Sequence, residues 1–526
     1  MEPHHQSEII GAMKKPDFYP HPIQEISVRE THISTVFLTG DYVYKIKKPV
    51  DLEFLDFTTL DSRRHFCHEE VTLNRRLTRD VYLDVVSITL DDHHYGLDGQ
   101  GRPVEYAVKM RQLSDKSSML HLLRGNKLDA GSIRALARML AQFYKEAKTG
   151  PEIDGVGSWK TVRTNCEENF FQTQEFAGSI IDPRKFQIIR SVTRSFLRRR
   201  KSLFDQRLLE GKIRECHGDL RTGHIYFTRN GIQVIDCIEF NKRFRYQDIA
   251  SDLAFLGMDL DFSGFPQTAH SLLKTYAHCS DDPDIFILMD FYKCYRAMVR
   301  VKVNCLRLQQ GDLDSQRRTL LFKETRRYLQ LAYRYAEQFV RPTLWIICGR
   351  VATGKSTIAR ELSERLDINV FRSDAIRKEL FSHKTGQGDK TAFGMGIYSE
   401  QATSLTYGKL LLTAQEEIDA GNSVILDATF GSQDHRREAL RLAENMDVNI
   451  VFVECKCRDA VILRRLEKRE VETSISDARA EIFQELNDAY EAPDEIPSEL
   501  HMAVDTEQPT KRVMQKILSH MDWADL

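Results

Sequence analysis

Residues 343–366, TLWIICGRVATGKSTIARELSERL, join an apolar run to a glycine-rich loop and then to a segment with helical spacing. The loop matches the pattern G-x-x-x-x-G-K-[ST] at Gly349, Gly354, Lys355 and Ser356. Glycines let successive backbone N–H groups curve around phosphate oxygens, and the start of the following helix adds positive potential. The stretch therefore predicts a nucleotide-phosphate site between a buried strand and a helix.

The polar residues of this loop have distinct expected roles. Lys355 is expected to reach the outer phosphates of ATP, and the Ser356 hydroxyl is expected to ligate Mg²⁺. Thr353 and Thr357 are assigned to the same nucleotide site.

The alternation of segment types around this loop predicts a parallel α/β domain. Apolar runs alternate with helical segments, and the runs cover 343–348, 368–371, 423–426 and 449–454. We therefore place a domain boundary close to residue 341. Residues 341–526 are expected to form a P-loop domain whose parallel sheet is flanked by helices.

Charged residues beside the predicted strands supply the rest of this site. Asp374, in FRSDAIRKEL, follows the second strand, where phosphoryl transfer needs a base or a substrate anchor. Asp427, in SVILDATF, ends the third strand as a carboxylate for the water shell of the metal. Arg465 and Arg469 stand one helical turn apart before a polar stretch, where arginines on a lid can clamp the transferred group. An ordinary surface helix explains these two arginines nearly as well.

GRVATGKST, RSDAIRKEL, GNSVILDATF and the arginine-rich segment together resemble the small P-loop kinases grouped with zeta toxins, gluconate kinases and polynucleotide kinases. The resemblance covers residues 343–510. It implies ATP as the phosphate donor and a hydroxyl group as the acceptor, and its substrate-side motifs do not single out one acceptor.

The first 340 residues predict a domain of a different class. Residues 1–24 are polar and proline-rich and are expected to form a loose arm. A small lobe over about 25–112 is predicted to be mostly antiparallel sheet, with one helix over 59–77. A large lobe over about 113–340 is predicted to be mainly helical.

HGDLRTGHIYF (217–227), with VYKIKKPV, VIDCIEF and DIASDLAFL elsewhere, resembles the aminoglycoside phosphotransferase family, which has a protein-kinase-like fold of two lobes. The resemblance covers residues 25–308. The layout of the whole chain resembles uncharacterised bacterial proteins that fuse such a domain to a P-loop ATPase. The expected fold class is therefore α+β followed by α/β.

This second resemblance implies roles for individual residues. Asp219 takes the place of the aspartate that orients and deprotonates the attacking hydroxyl, and Asp236 that of the carboxylate holding Mg²⁺ against ATP. Lys45 matches the lysine that contacts the phosphates, with Lys47 as the alternative. Glu70 is its expected ion-pair partner, and Glu69 is the alternative. His217 is expected to brace the loop without chemistry, and Asp248 and Asp252 are expected to be structural caps.

His224 stands where the resemblance places an asparagine as second metal ligand. Mg²⁺ prefers oxygen ligands, so an imidazole nitrogen should weaken its binding. Three alternatives remain open: one Mg²⁺ on Asp236 suffices, Mn²⁺ is tolerated better than Mg²⁺, or the loop binds a ligand without catalysis. The segment before Lys45 also lacks the glycines that usually cover the phosphates.

Composition narrows the class of protein. The 526 residues are 41% hydrophobic and 29% charged, with a net charge of −2, which is typical of a globular protein and not of a nucleic-acid or membrane-surface binder. The ten cysteines are scattered and show no zinc spacing. No signal peptide or membrane-spanning stretch is apparent, so a cytoplasmic location is expected.

Three functional hypotheses follow. The favoured one is an ATP-dependent kinase with two nucleotide-binding domains that phosphorylates the hydroxyl group of a small molecule. The second is a regulatory or toxin–antitoxin-like protein in which the kinase-like domain controls the P-loop domain. The third, a nucleic-acid 5′-hydroxyl kinase, is disfavoured because phosphate-tracking surfaces are usually basic. The sequence does not indicate an oligomeric state.

Overall fold

The computed structural model describes residues 3–52, 55–92, 94–309, 313–381, 399–471 and 483–521. The chain packs into two compact units. Unit 1 comprises Met1–Asp182, Phe204–Ser280 and Tyr292–Leu331, and unit 2 comprises Pro183–Leu203, Asp281–Phe291 and Ala332–Leu526. A single domain boundary near residue 341 stays a prediction, since two earlier segments pack with unit 2.

Unit 1 begins with an antiparallel sheet of six strands in the order β1-β2-β3-β8-β6-β7. The strands of this region are β1 (Ser27–Glu30), β2 (Ser34–Leu38), β3 (Tyr42–Lys47), β4 (Asp51–Leu52), β5 (Leu55–Asp56), β6 (Tyr82–Asp91), β7 (His94–Leu97) and β8 (Arg102–Arg111). Helix α1 (Pro3–Met13) precedes the sheet, and helix α2 (Leu60–Asn74) follows β5. The predicted antiparallel small lobe with one helix is present.

The prediction of a loose N-terminal arm is wrong. Ile9 and Met13 of α1 are fully buried, and Phe18 and Tyr19 join them in the core on one face of the sheet. The side-chain amide of Gln6 also donates to the carbonyl of Lys47, 2.8 Å away. Ile9 and Met13 stand one helical turn apart, but two such residues in a polar, proline-rich segment are too few to predict a packed helix. The four apolar side chains cover a sheet face that would otherwise meet water.

The remainder of unit 1 and the first segments of unit 2 are mainly helical, as predicted for the large lobe. The helices are α3 (Met119–Arg124), α4 (Ala130–Glu146), α5 (Pro151–Val156), α6 (Trp159–Thr173), α7 (Pro183–Arg199), α8 (Lys201–Leu209), α9 (Lys242–Arg245), α10 (Ile249–Phe262), α11 (Pro266–Ser280), α12 (Met289–Gln309) and α13 (Ser315–Val340). Four short strands form two antiparallel pairs: β9 (Ile213–Glu215) pairs with β12 (Tyr246–Asp248), and β10 (Ile225–Thr228) pairs with β11 (Gly231–Val234).

Unit 2 contains a parallel sheet of five strands in the order β14-β15-β13-β16-β17. The strands are β13 (Thr343–Cys348), β14 (Asn369–Arg372), β15 (Val424–Asp427), β16 (Asn449–Lys456) and β17 (His501–Asp505). The helices are α14 (Lys355–Leu366), α15 (Ser373–Phe381), α16 (Glu400–Asp419), α17 (Gln433–Asn445), α18 (Asp459–Val471), α19 (Phe483–Asp488) and α20 (Thr510–Leu518). All six residues of β13 are buried, as expected for the centre of a parallel sheet. The predicted fold class is confirmed.

No helix within the described ranges combines the length and the apolar character that crossing a membrane requires.

Candidate active sites

The glycine-rich loop of unit 2 leaves β13 and enters α14 with the expected geometry. Gly349 has φ +124° and Gly354 has φ +98°, a region that side chains rarely tolerate. A Cβ on Gly349 would also lie 2.5 Å from the carbonyl oxygen of Cys455. These glycines therefore allow the loop to pass close to β16 and to enter the helix without steric conflict.

Lys355 is held within this loop. Its Nζ donates to the carbonyl of Arg350 at 2.7 Å, and the Thr353 hydroxyl donates to the same carbonyl at 2.8 Å. Burial lowers the pKa of Lys355, while Asp427 and Asp374 oppose that effect. The ammonium group is half-buried, and no carboxylate among the described residues forms an ion pair with it, so binding to phosphate would stabilise its charge.

A guanidinium group lies between the two predicted metal-binding residues of unit 2. Asp427 ends β15 opposite Ile347 of β13 and is buried. Arg372 Nε lies 3.2 Å from Asp427 Oδ2, and its Nη2 lies 3.2 Å from Ser356 Oγ. The structure therefore brings Ser356 and Asp427 to the same guanidinium group, and sequence reasoning missed Arg372.

Asp374 stands in the first turn of α15, directly after β14. Burial raises the pKa of its carboxyl group, and Lys355 partly opposes this. A raised pKa is typical of a carboxylate that accepts a proton near neutral pH. The strand end thus places a candidate base within the electrostatic reach of the phosphate-binding lysine.

Of the two predicted lid arginines, the structure describes one side chain. Arg465 donates through Nη1 to the carbonyl of Ala352 at 3.2 Å and through Nη2 to the carbonyl of Thr506 at 3.1 Å. It therefore contacts the backbone of the phosphate-binding loop. The side chain of Arg469 and the following stretch lie outside the described residues.

In unit 1, Lys45 of β3 links two carboxylates from distant parts of the chain. Its Nζ lies 2.8 Å from Glu70 Oε1 on α2 and 2.8 Å from Asp236 Oδ1, which is 191 positions away. Burial opposes the charged form, but Asp236 and Glu70 outweigh it and raise the pKa of Lys45. These contacts match the expected lysine–glutamate pair.

Lys47, the alternative lysine, is also bound here. Its Nζ lies 2.8 Å from Glu70 Oε2 and also contacts Glu239. Glu70 therefore joins both lysines, and both lysines are buried or nearly so. Glu239 was missed, although it follows Asp236 by three residues in VIDCIEF.

Asp219 is clamped by an arginine two residues away. Arg221 Nε lies 2.7 Å from Asp219 Oδ1, and its Nη2 lies 2.8 Å from Oδ2. Burial would raise the pKa of Asp219, but Arg221 and His224 outweigh it and hold the pKa far below the ordinary value. Sequence reasoning gave Arg221 no role.

His224 lies between Asp219, the predicted catalytic carboxylate, and Asp236, the predicted metal ligand. Its Nδ1 is 2.9 Å from the carbonyl of Asp219, which only a protonated Nδ1 can satisfy. Its Nε2 accepts from Arg221 Nη2 at 3.1 Å and lies 3.6 Å from Asp236 Oδ2. The unprotonated nitrogen therefore faces the site.

Asp219, His224 and Asp236 form a candidate metal site, because one ligand atom from each lies within 4.8 Å of the others. Two carboxylates and an imidazole fit a divalent cation, with weaker preference for Mg²⁺ than an all-oxygen set. Arg221 Nη2 contacts both Asp219 and His224, so a cation shared by these two residues requires Arg221 to move.

Helix α10 holds the loop that carries Asp219. Buried Asp252 accepts from the backbone N–H groups of His217 and Gly218, at 2.8 and 2.9 Å. Two turns later, Asp259 accepts from the N–H of Thr222 at 2.9 Å. Asp252 and Asp259 thus replace hydrogen bonds that a loop cannot make to itself.

Two other predicted bracing residues behave as expected. His217 bridges the carbonyl of Ile235 and the N–H of Asp219, and burial lowers its pKa to about 4, so it stays neutral. Asp248 caps α10 and forms a buried ion pair with Arg207 at 2.7 Å.

The sequence of this chain is similar to those of known proteins. Residues 344–493 match a family described as an AAA domain. Uncharacterized proteins of Mycobacterium tuberculosis and Mycobacterium bovis are 32% identical over 465 residues, which is 88% of this chain and 90% of each relative. The chain belongs to their family. The shared length of 465 residues exceeds the length of either unit, so the similarity extends over both units.

Solved structures resemble parts of this chain. A gluconokinase from Sinorhizobium meliloti is 15% identical, with a TM-score of 0.27, over 35% of this chain and 92% of that one. The APS kinase of Mycobacterium tuberculosis is 19% identical, with a TM-score of 0.27, over 34% and 96%. A choline/ethanolamine kinase family protein from Mesorhizobium loti is 12% identical, with a TM-score of 0.38, over 63% and 99%.

Proposed function

We propose that the chain is an ATP-dependent phosphotransferase with one nucleotide site in each unit and hydroxyl-bearing small molecules as acceptors. The observation that carries the proposal is the link from Lys45 to Glu70 and Asp236, at 2.8 Å each, beside Asp219. A purely structural ion pair between Lys45 and its two carboxylates would not need a further carboxylate nearby. Here Asp219 and Asp236 both lie near His224, which is the arrangement expected of a metal and phosphate site.

In unit 2 the loop residues would position the donor. Backbone N–H groups around Gly354 and the Lys355 ammonium would hold the phosphates, and Ser356 and Asp427 would hold Mg²⁺. Bound Mg²⁺ neutralises phosphate charge. Arg372 would leave the position between Ser356 and Asp427. Asp374, with its raised pKa, would take the proton of the acceptor hydroxyl.

In unit 1 Lys45 would contact the donor phosphates, oriented by Glu70. Asp236 and His224 would hold Mg²⁺ or Mn²⁺, and Asp219 would orient the acceptor hydroxyl for in-line attack. This assignment follows the resemblance to aminoglycoside phosphotransferases. Because the reaction needs positioning and charge neutralisation more than a strong base, the low pKa of Asp219 is compatible with it.

One observation favours a second candidate function, a regulatory ligand-binding role for unit 1. Arg221 engages both carboxylate oxygens of Asp219, and such a clamp would suit a site that binds a nucleotide without transferring its phosphate. Unit 2 would then be the only kinase of the chain.

A phosphorylation screen of a metabolite pool with labelled ATP distinguishes a kinase with two active sites from a kinase whose unit 1 is regulatory. We expect Lys355→Ala and Asp219→Ala each to abolish a different labelled product, since each removes a residue of one site. Exposed Lys409→Ala and Asp84→Ala provide matched controls. If Asp219→Ala leaves every product unchanged, unit 1 is regulatory. If neither variant changes labelling, the proposal fails. A 5′-hydroxyl oligonucleotide in the same screen tests the nucleic-acid kinase hypothesis.

A further inference from the structure

Two arginines outside the nucleotide-binding set act on the Asp219 carboxylate. Arg221 holds it through two hydrogen bonds, and Arg300 on α12 places a second positive charge within electrostatic range of it. Arg300 stands one helical turn after Arg296, whose Nη1 reaches the carbonyl of Gly218 at 3.3 Å. The same face of α12 therefore meets the loop that carries Asp219.

Arg300 has a hydrogen-bond donor that is available to bind a further acceptor group. Its guanidinium lies 5.6 Å from the ring of Tyr328, with which it also hydrogen-bonds. Its Nε is buried and has no hydrogen-bond partner among the residues the structure describes, and no carboxylate in that part of the chain pairs with it. Buried donors are nearly always satisfied, so an acceptor from outside the chain, or water, is expected here.

Aromatic rings pack beside the guanidinium groups of Arg221, Arg296 and Arg300. Tyr328 stacks on Phe262 with ring centroids 3.8 Å apart, and Phe255 lies 5.9 Å from the guanidinium of Arg221 and 4.7 Å from that of Arg296. Guanidinium groups beside apolar surface are less hydrated and bind planar anions in two-point contacts.

We propose that the acceptor phosphorylated in unit 1 carries an anionic group, a carboxylate or a phosphate, which Arg221 and Arg300 bind. This inference rests on the proposed function of unit 1 and names its substrate class. The anionic group replaces the Asp219 carboxylate as partner of Arg221. Asp219 and His224 then become available to the hydroxyl and the metal.

The transfer itself balances without another reactant. The acceptor hydroxyl oxygen forms a bond to the γ-phosphorus while the bond from that phosphorus to the β–γ bridging oxygen breaks. ADP leaves with the electron pair of the broken bond. The hydroxyl proton passes by way of Asp219 to solvent. A cationic acceptor would instead approach several guanidinium groups and be repelled.

The experiment uses the full-length Lys355→Ala chain, so that unit 2 does not contribute, with Mg²⁺ and a non-hydrolysable ATP analogue. Calorimetry measures binding of matched pairs, glycerate with glycerol and gluconate with glucose, and of glycerol phosphate and inorganic sulfate. We expect acids to bind and neutral partners not to bind. Arg300→Met should weaken acid binding about 10-fold or more, the loss of a charge-assisted contact, with partial recovery in Arg300→Lys.

Arg326→Met is the matched control, because Arg326 is exposed on α13 and its guanidinium lies over the ring of Phe322 rather than over Tyr328, Phe262 or Phe255. Comparison of carboxylates with glycerol phosphate distinguishes the two anionic groups. The proposal is overturned if neutral compounds bind as well as acids, if Arg300→Met leaves acid binding unchanged, or if no anion binds.

Labelled ATP in place of the analogue separates this inference from the proposed function. Arg300-dependent acid binding without any phosphate transfer by unit 1 supports the anion site and contradicts catalysis there. Phosphorylation of a neutral or cationic acceptor by unit 1 supports catalysis and overturns the anionic acceptor.

Discussion

Asp219 and Asp374 are the same chemical group in opposite surroundings. Arg221 and His224 outweigh burial at Asp219 and lower its pKa, whereas burial dominates at Asp374 and raises its pKa. One carboxylate therefore stays ionised in acid, and the other is able to take up a proton nearer neutrality. The difference comes from neighbours and not from residue type.

This contrast predicts different acid limits for the two sites. With Asp374 as the proposed base of unit 2, phosphate transfer by this unit should be lost as pH falls through the raised pKa of the Asp374 carboxyl group. Asp219 remains ionised over that range, so transfer by unit 1 should persist to lower pH. The measurement is kcat/KM against pH for Asp219→Ala, which retains unit 2, and for Lys355→Ala, which retains unit 1. Coincident acid limbs would contradict the assignment of these bases.

His224 predicts a change of metal preference. An asparagine at this position supplies an amide oxygen, which Mg²⁺ prefers to an imidazole nitrogen. In the Lys355→Ala background, His224→Asn should therefore reach half-maximal rate at a lower Mg²⁺ concentration and lose any advantage of Mn²⁺. The control is His68→Asn on the exposed face of α2. An unchanged metal dependence would place His224 outside the metal shell.

At the scale of elements, α2 and β3 are joined by one carboxylate shared between two lysines. Glu70 contacts Lys45 and Lys47 at 2.8 Å each, and the Lys47 side chain is fully buried. The lysines oppose the effect of burial and keep the pKa of Glu70 low. The helix is thereby fixed to the strand at the point where the nucleotide is expected.

Glu70→Ala should destabilise unit 1 by about 3 kcal/mol, because it leaves buried lysine charge with fewer partners. Urea denaturation followed by circular dichroism measures the change. Glu69→Ala, at the adjacent half-exposed position on the same helix, should change stability by less than about 0.5 kcal/mol. Equal effects of the two substitutions would contradict the assignment of Glu70 as the partner.

Strands β15 and β14, which follow one another on one side of β13, show why strand ends are informative in a parallel sheet. Ile347 of β13 pairs with Asp427 of β15, and Asp427 in turn pairs with Arg372 of β14. Neighbouring carboxyl ends share one edge, so polar residues there converge although they are 55 positions apart. That rule located Asp427 and Asp374 from the sequence, but it could not say that Arg372 would turn toward Asp427.

At the scale of the whole molecule, one chain is expected to bind two nucleotides. Titration of the full-length chain with a non-hydrolysable ATP analogue and Mg²⁺ should give about two sites per chain, since each unit has its own lysine for phosphate. Lys355→Ala and Lys45→Ala should each reduce the number to about one. Exposed Lys409→Ala is the control. One site in the unaltered chain would show that one of the units does not bind nucleotide.

The sequence alone determined those elements whose conformation depends on residues close together in the chain. The loop at 349–357, its strand and its helix follow from glycine geometry and apolar periodicity within a few residues. HGDL and VYK, through a family resemblance, led to the prediction of Asp219 and Lys45 as site residues. Only the tertiary structure decided the partners: Lys45 with Asp236, Arg221 and Arg300 around Asp219, and α1 on the sheet. Long-range ion pairs and the burial of scattered apolar side chains depend on which elements meet, and no periodicity along the chain records that.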